Sequence, residues 1–98
     1  MTQYDSLAKL FKVLSDPTRL QILEILSCGT LCACKILERL SINQSTLSHH
    51  MKMLTGCGLV KGRKDATWMY YTLNQDRVAE LHQLIDSITV PKAECICK

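Results

Sequence analysis

The sequence contains no apolar run near the roughly 20 residues that a membrane-spanning helix requires, so no membrane partner is expected. Its first ten residues, MTQYDSLAKL, lack the basic-then-apolar layout of a secretory signal, which points to a cytoplasmic protein. There is no internal repeat and no low-complexity tract, which sets aside stacked-repeat architectures. Nor is there a Cys-x-x-Cys at a strand–helix junction, a phosphate-binding loop or an acid/base constellation, so an enzyme is not expected. The 98 residues suffice for one small domain with a modest core, a size that often gains stability by dimerising.

Cysteine is what the chain has in excess, with six among 98 residues: Cys28, Cys32, Cys34, Cys57, Cys95 and Cys97. Cytosolic thiols stay reduced, so this count favours metal or metalloid ligation, or thiol sensing, over a disulfide framework. The net charge of +3 is mild but unevenly spread. Residues 41–75 carry Lys52, Lys61, Arg63 and Lys64 against Asp65 alone, a local footprint that suits a polyanion.

Apolar spacing predicts a helix from Tyr4 to Leu14, through Leu7, Leu10 and Phe11. "SDPTRL" then punctuates, since Asp16 can cap and Pro17 suits the first turn of a second helix carrying Leu20, Leu23, Ile25 and Leu26. A third helix is predicted from about Cys32 to Leu40, and Ser41 to Asn43 form a tight turn. Asn43 can cap a fourth helix that reaches Thr55, with Gly56 and Gly58 ending it. "LVKGR" and "TWMYYTL", separated by "KDA", read as a two-stranded hairpin. Helical spacing returns after Asn74 with Val78, Leu81, Leu84, Ile85 and Ile88, and stops at Pro91. The fold class is mainly α with a small β-hairpin, a winged helix-turn-helix.

The second helix of such a motif lies in the major groove, with polar side chains outward and an apolar stripe inward. At about 100° per residue, Leu47, His50, Met51 and Leu54 fall on one side of residues 44–55. Ser45, Ser48, His49 and Lys52 fall on the other, and Gln44 stands at the N-terminal end near a base edge. Arg63 and Lys64 in the wing would reach the flanking backbone or minor groove, whereas Trp68, Tyr70 and Tyr71 would pack or stiffen the hairpin. Adjacent helical residues diverge, so His49 and His50 are not a metal pair: His49 faces DNA and His50 packs in the core.

"FKVLSDPTRLQILEIL", "LCACKILERLSINQSTLSHHMKMLTGCGLV" and "GRKDATWMYYTL" resemble the ArsR/SmtB family of metal-responsive repressors over roughly residues 5 to 75. The resemblance implies a homodimer, dimerising through the first and last helices, that binds double-stranded operator DNA and leaves it when an inducer binds. Residues 1–90 would form the DNA-binding and dimerisation domain, and 91–98 a flexible cysteine-containing tail. Two-fold symmetry then asks for a palindromic operator with half-sites about one helical turn apart.

In the arsenic-responsive branch a Cys-x-Cys opens the helix before the recognition helix, within a motif similar to "ELCVCDLC". Here the stretch is "TLCACKIL": Cys32 and Cys34 match the first two cysteines, while Leu37 occupies the third position. Thr30 and Lys35 stand where the motif is acidic. The match implies As(III) or Sb(III) as inducer. Thiolate chemistry also admits Cd(II), Pb(II) or Zn(II), and a thiol-redox-responsive repressor is an alternative. A third sulfur could come from Cys28, across Gly29, or from Cys95 or Cys97 in the tail; Cys32, Cys34 and one tail cysteine is the favoured set. An extended chain from Pro91 spans about 13–14 Å to Cys95 and about 20 Å to Cys97. Cys57 reads as a small packing residue or a free thiol. Asp76, Glu80, His82 and Asp86 do not reproduce the spacing of the family's other metal site, on the last helix.

One geometric question attaches to the pair. On a wound helix, residues i and i+2 point about 200° apart, so gripping one ion requires the helix to be unwound or bent where Cys32 and Cys34 sit.

Overall fold

The structure is a computed structural model and describes residues 2–93; Cys95 and Cys97 lie outside the described residues. In chain order the elements are α1 (Gln3–Leu14), α2 (Pro17–Leu26), β1 (Leu31–Cys32), α3 (Ala33–Glu38), α4 (Gln44–Gly56), β2 (Val60–Asp65), β3 (Trp68–Leu73) and α5 (Gln75–Thr89).

Four of the five helices start on a side-chain cap. Thr2 and Asp5 form a reciprocal capping box at α1. The Asp16 carboxylate accepts from the N–H groups of Thr18 and Arg19 at 2.8 and 3.2 Å, with Pro17 in the first turn of α2. The Asn43 side chain accepts from the Thr46 N–H at 2.8 Å, and the Asn74 side chain accepts from the Arg77 N–H at the start of α5. Cys32, at the cap of α3, makes no such bond.

Ile22, Leu26, Ile36, Leu47, Met51 and Leu54 meet in one core with Val13 and Val60, so α2, α3, α4 and the wing share their interior. On α2 the buried side chains are Ile22 and Leu26, whereas Leu20 is 51% exposed. Ile22 and Leu26 stand four apart on one stripe of α2, and Leu20 falls outside it. On α1, Leu7, Leu10 and Val13 are buried while Tyr4 and Phe11 are exposed. No residue of α5 is fully buried, and Ile88 and Val90 face solvent. The radius of gyration is 16.2 Å, against about 13 Å expected for a compact chain of this length. The long axis of 58 Å reflects elements that extend from the core with apolar area still uncovered. No described helix is long and apolar enough to cross a membrane.

Two findings differ from expectation. The third helix is shorter than predicted, Ala33–Glu38, and the sheet has three strands rather than two, in the order β1-β3-β2. Leu31 pairs with Tyr71 and Cys32 with Tyr70, so the residues before α3 close the free edge of β3. A two-residue strand carries no period that sequence patterning could detect.

Candidate DNA-reading surface and thiol pair

On α4, Leu47, His50, Met51 and Leu54 are buried, and Gln44, Ser45, Ser48, His49 and Lys52 are exposed, as the helical period requires. Ser45 also donates its hydroxyl hydrogen to the Asn43 side chain at 3.0 Å, so in this state its donor serves the cap. Below the surface, Arg19 reaches across from α2: Nε donates to Nδ1 of His50 at 3.1 Å and Nη1 donates to the Val13 carbonyl at 3.1 Å. At the far end of α4, Arg77 Nε donates to the Cys57 carbonyl at 3.2 Å and Asn74 Nδ2 to the Gly58 carbonyl at 3.0 Å. Gly58 has a φ of 86°, the left-handed turn by which the chain leaves α4 for the wing. The start of α5 therefore grips the end of α4.

Arg19, Asn74 and Arg77 are the positioning residues that sequence reasoning missed. Asp16 and Asn74 announce helix starts, but a partner 31 residues away in the chain leaves no local trace. Burial pushes the Asp16 carboxyl up, yet the N–H bonds from Arg19 and Thr18 and the nearby charges of His50 and Arg19 outweigh it, holding the group below its ordinary value. Burial raises the Tyr71 phenol.

The wing presents Lys61, Arg63 and Lys64, all exposed. Strand alternation puts Lys61 and Arg63 on one face and Lys64 on the other. The Arg63 guanidinium lies over the Tyr70 ring, 5.2 Å from its centroid. Tyr71 packs against the core, while Trp68 is 55% exposed near the tip and does not pack as expected. Gly62 allows the strands to close: a Cβ there would meet the Met69 methyl at 2.8 Å and the Tyr71 ring at 3.2 Å.

The geometric question about the cysteines is answered by the third strand. Cys32 is extended, with φ −75° and ψ 157°, outside the wound helix, while Cys34 lies in its first turn. The two Cα atoms are 5.4 Å apart and the two sulfurs form a disulfide, where reduced thiols were expected; two cysteines this close can bond to each other whenever they are oxidised. Unwinding at Cys32 is thus a property of the fold, held by the bond pattern between β1 and β3. Cys28 is a free, exposed thiol, and Cys57 is half-buried with its Sγ donating to the Leu54 carbonyl. Among the described residues, no group of three or more His, Cys, Asp or Glu side chains comes together. Beside Cys34 opens a cleft of about 320 Å³, walled by Leu37, Gln44 and Leu47 on one side and by Thr67, Trp68 and Met69 of the wing on the other.

Register links Cys32 to the wing cations: Tyr70 is the strand partner of Cys32 on one side and of Arg63 on the other.

A helix-turn-helix followed by a basic hairpin, with its polar helix face outward, defines a DNA-binding regulator. The pattern described as "Bacterial regulatory protein, arsR family" matches residues 16–61, and the chain belongs to that family. It is 46% identical over 95 residues to the arsenical resistance operon repressor of Staphylococcus xylosus, covering 97% of this chain and 91% of that one. Among solved structures, an ArsR-like transcriptional regulator from Rhodococcus superposes with a TM-score of 0.77 at 28% identity, over 87% of this chain and 80% of that one. A homodimeric winged helix-turn-helix DNA-binding domain from Mycobacterium bovis gives 0.72 at 31% identity, over 93% and 84%.

Proposed function

We propose that this chain is a metalloid-responsive repressor: a homodimer that holds operator DNA and releases it when As(III) or Sb(III) binds Cys32, Cys34 and one tail cysteine, Cys95 or Cys97. The observation that carries the reading is the closeness of Cys32 and Cys34, their Cα atoms 5.4 Å apart at the mouth of α3, in a chain so similar to an arsenical resistance repressor. Gln44, Ser45, Ser48, His49 and Lys52 meet the major groove, and Arg63 and Lys64 the adjoining backbone. The uncovered apolar faces of α1 and α5 support dimerisation through those helices, as does the homodimeric neighbour. The dimer works in the cytoplasm.

Two thiols that displace two hydroxides from As(OH)₃, each released as water, leave one As–O position. A third thiol takes it with loss of a third water, giving a three-sulfur site. The described residues offer no third donor at the pair, which favours the tail.

Release requires the inducer to bind the DNA-free form better, by about 10⁴-fold for a shift from almost fully bound to almost fully free. Two routes run from Cys32 and Cys34. One passes through α3 and the turn to α4. The other passes through β1 and Tyr70 to the wing.

The paired sulfurs also favour a second reading, a thiol-redox-responsive repressor in which a Cys32–Cys34 disulfide is the released state. Operator release titrated with As(III), Sb(III), Cd(II), Pb(II), Zn(II) and peroxide, under controlled reduction, separates the two. Cys32→Ser and Cys34→Ser are expected to keep operator binding and lose metalloid-induced release; retained release in both sinks the assignment. Unchanged inducer stoichiometry in a Cys95/Cys97 double variant would remove the tail from the site.

A further inference from the structure

Which side chains of α4 face DNA depends on the roll of that helix about its axis, since neighbouring residues differ by about 100°. Apolar packing on the buried face holds the helix in place but carries no directional bond to fix its angle. One directional contact to that face comes from outside the helix: Arg19 Nε to His50 Nδ1, with the same guanidinium tied to the Val13 carbonyl. His50 is 8% exposed, lies among Leu47, Met51 and Leu54, and is next in sequence to His49 on the DNA side.

We propose that Arg19 is a positioning residue for DNA reading: it fixes the roll of α4 through the unprotonated Nδ1 of His50, so that protonating His50 loosens the operator grip. The proposal rests on the reading of α4 as the operator-contacting helix. The chemistry is direct. Nδ1 accepts only while it carries no proton; with a proton it becomes a second donor facing an Arg donor, and two cations share a half-buried space. The groups facing His50 are Arg19 and Asp16 from α2, with His49, whose ring centroid is 6.0 Å away, on its own helix. Asp16 attracts the imidazolium, but its carboxylate is already held by the N–H groups of Thr18 and Arg19 and offsets the clash only in part. The bond is therefore intact while Nδ1 carries no proton and lost once it gains one.

His49 is exposed on the same helix, so the test compares proteins that share it and its own charge cancels from the ratio. Operator duplex selected by the wild-type protein from a random library is titrated with full-length, reduced protein at fixed salt. His50→Gln places a side-chain oxygen near the Arg19 donor at every pH. The ratio of wild-type to His50→Gln affinity is expected to fall about tenfold from mildly alkaline to mildly acidic buffer. Arg19→Lys, which lacks the fork needed for both partners, is expected to lose about tenfold in affinity at neutral pH. A pH-independent ratio, or undiminished binding by Arg19→Lys, overturns the proposal while leaving operator binding by the wild type intact. Failure of the wild type to bind DNA at any pH overturns the DNA-reading assignment and this proposal with it. Wild-type protein alone gives an independent readout: the ¹⁵N resonance of His50 Nδ1 should be pyridine-like at neutral pH, and a protonated Nδ1 there overturns the proposal whatever the variants do.

Discussion

The two helices of the helix-turn-helix are held in contrasting ways. α4 has 13 residues, a side-chain cap from Asn43 and four buried side chains, and it is tied to α2 by Arg19 and to α5 by Asn74 and Arg77. α3 has six residues, no side-chain cap bond and only Ile36 buried, and its first turn follows from a two-residue strand. The reader is anchored along its whole length; the segment carrying the thiols is not. α4 is fastened at three places, whereas α3 is short, its start is already extended, and β1 shares strand β3 with the wing.

The largest test of this contrast removes packing from the anchored side. Leu54→Ala, at a position with no exposed surface, is expected to cost about 2–5 kcal/mol in urea unfolding. A loss below about 1 kcal/mol would mean that α4 is not the rigid member.

Next comes the strand that joins the two regions. Gly62→Ala displaces the Met69 methyl, the free end of a flexible side chain, and presses on the Tyr71 ring; a cost of about 1 kcal/mol, the low end of overpacking, is expected, together with weaker operator binding. A neutral substitution would show the wing to be looser than its register suggests.

A matched pair of cap variants sharpens the comparison further. Asn43→Ala is expected to destabilise by about 1 kcal/mol, because α4 loses the acceptor for Thr46. In reduced protein, where no Cys32–Cys34 bond is lost, Cys32→Ser should move the other way by up to about 1 kcal/mol, since a hydroxyl supplies the cap α3 lacks. Equal signs for the two changes would erase the distinction between the helix starts.

The smallest effect is electrostatic. The Asp16 carboxyl is held below its ordinary value of 3.8, so its charge contributes stability above that value and loses it as pH falls through the lowered one. Asp16→Asn keeps a cap acceptor and removes the charge. The stability difference from wild type should be present at neutral pH and vanish in acid, as thermal melts across that window would show. A difference that persists once the carboxyl is fully protonated would assign the role of Asp16 to the cap bond alone.

Much of this was legible in the chain because it is local. Asp16, Pro17 and Asn43 mark helix starts through bonds spanning two or three residues, and the period of residues 44–55 sorts His50 inward from His49 outward. The excess of cations in residues 41–75 and the spacing of Cys32 and Cys34 were likewise visible without a fold. Less was legible on α2, where Ile22 rather than Leu20 is buried, because burial there depends on how several elements close around it.

By itself, then, the sequence determined the helices, the hairpin, the face that α4 turns outward and the presence of paired soft donors at one helix start. Caps, periodicity and side-chain chemistry act over a few residues and need no distant partner. Tertiary structure alone decided that Cys32 is a strand residue opposite Tyr70, that Tyr70 also carries Arg63, and that Arg19 meets Nδ1 of His50. Those contacts join positions tens of residues apart, and they exist only once packing has fixed where both partners stand.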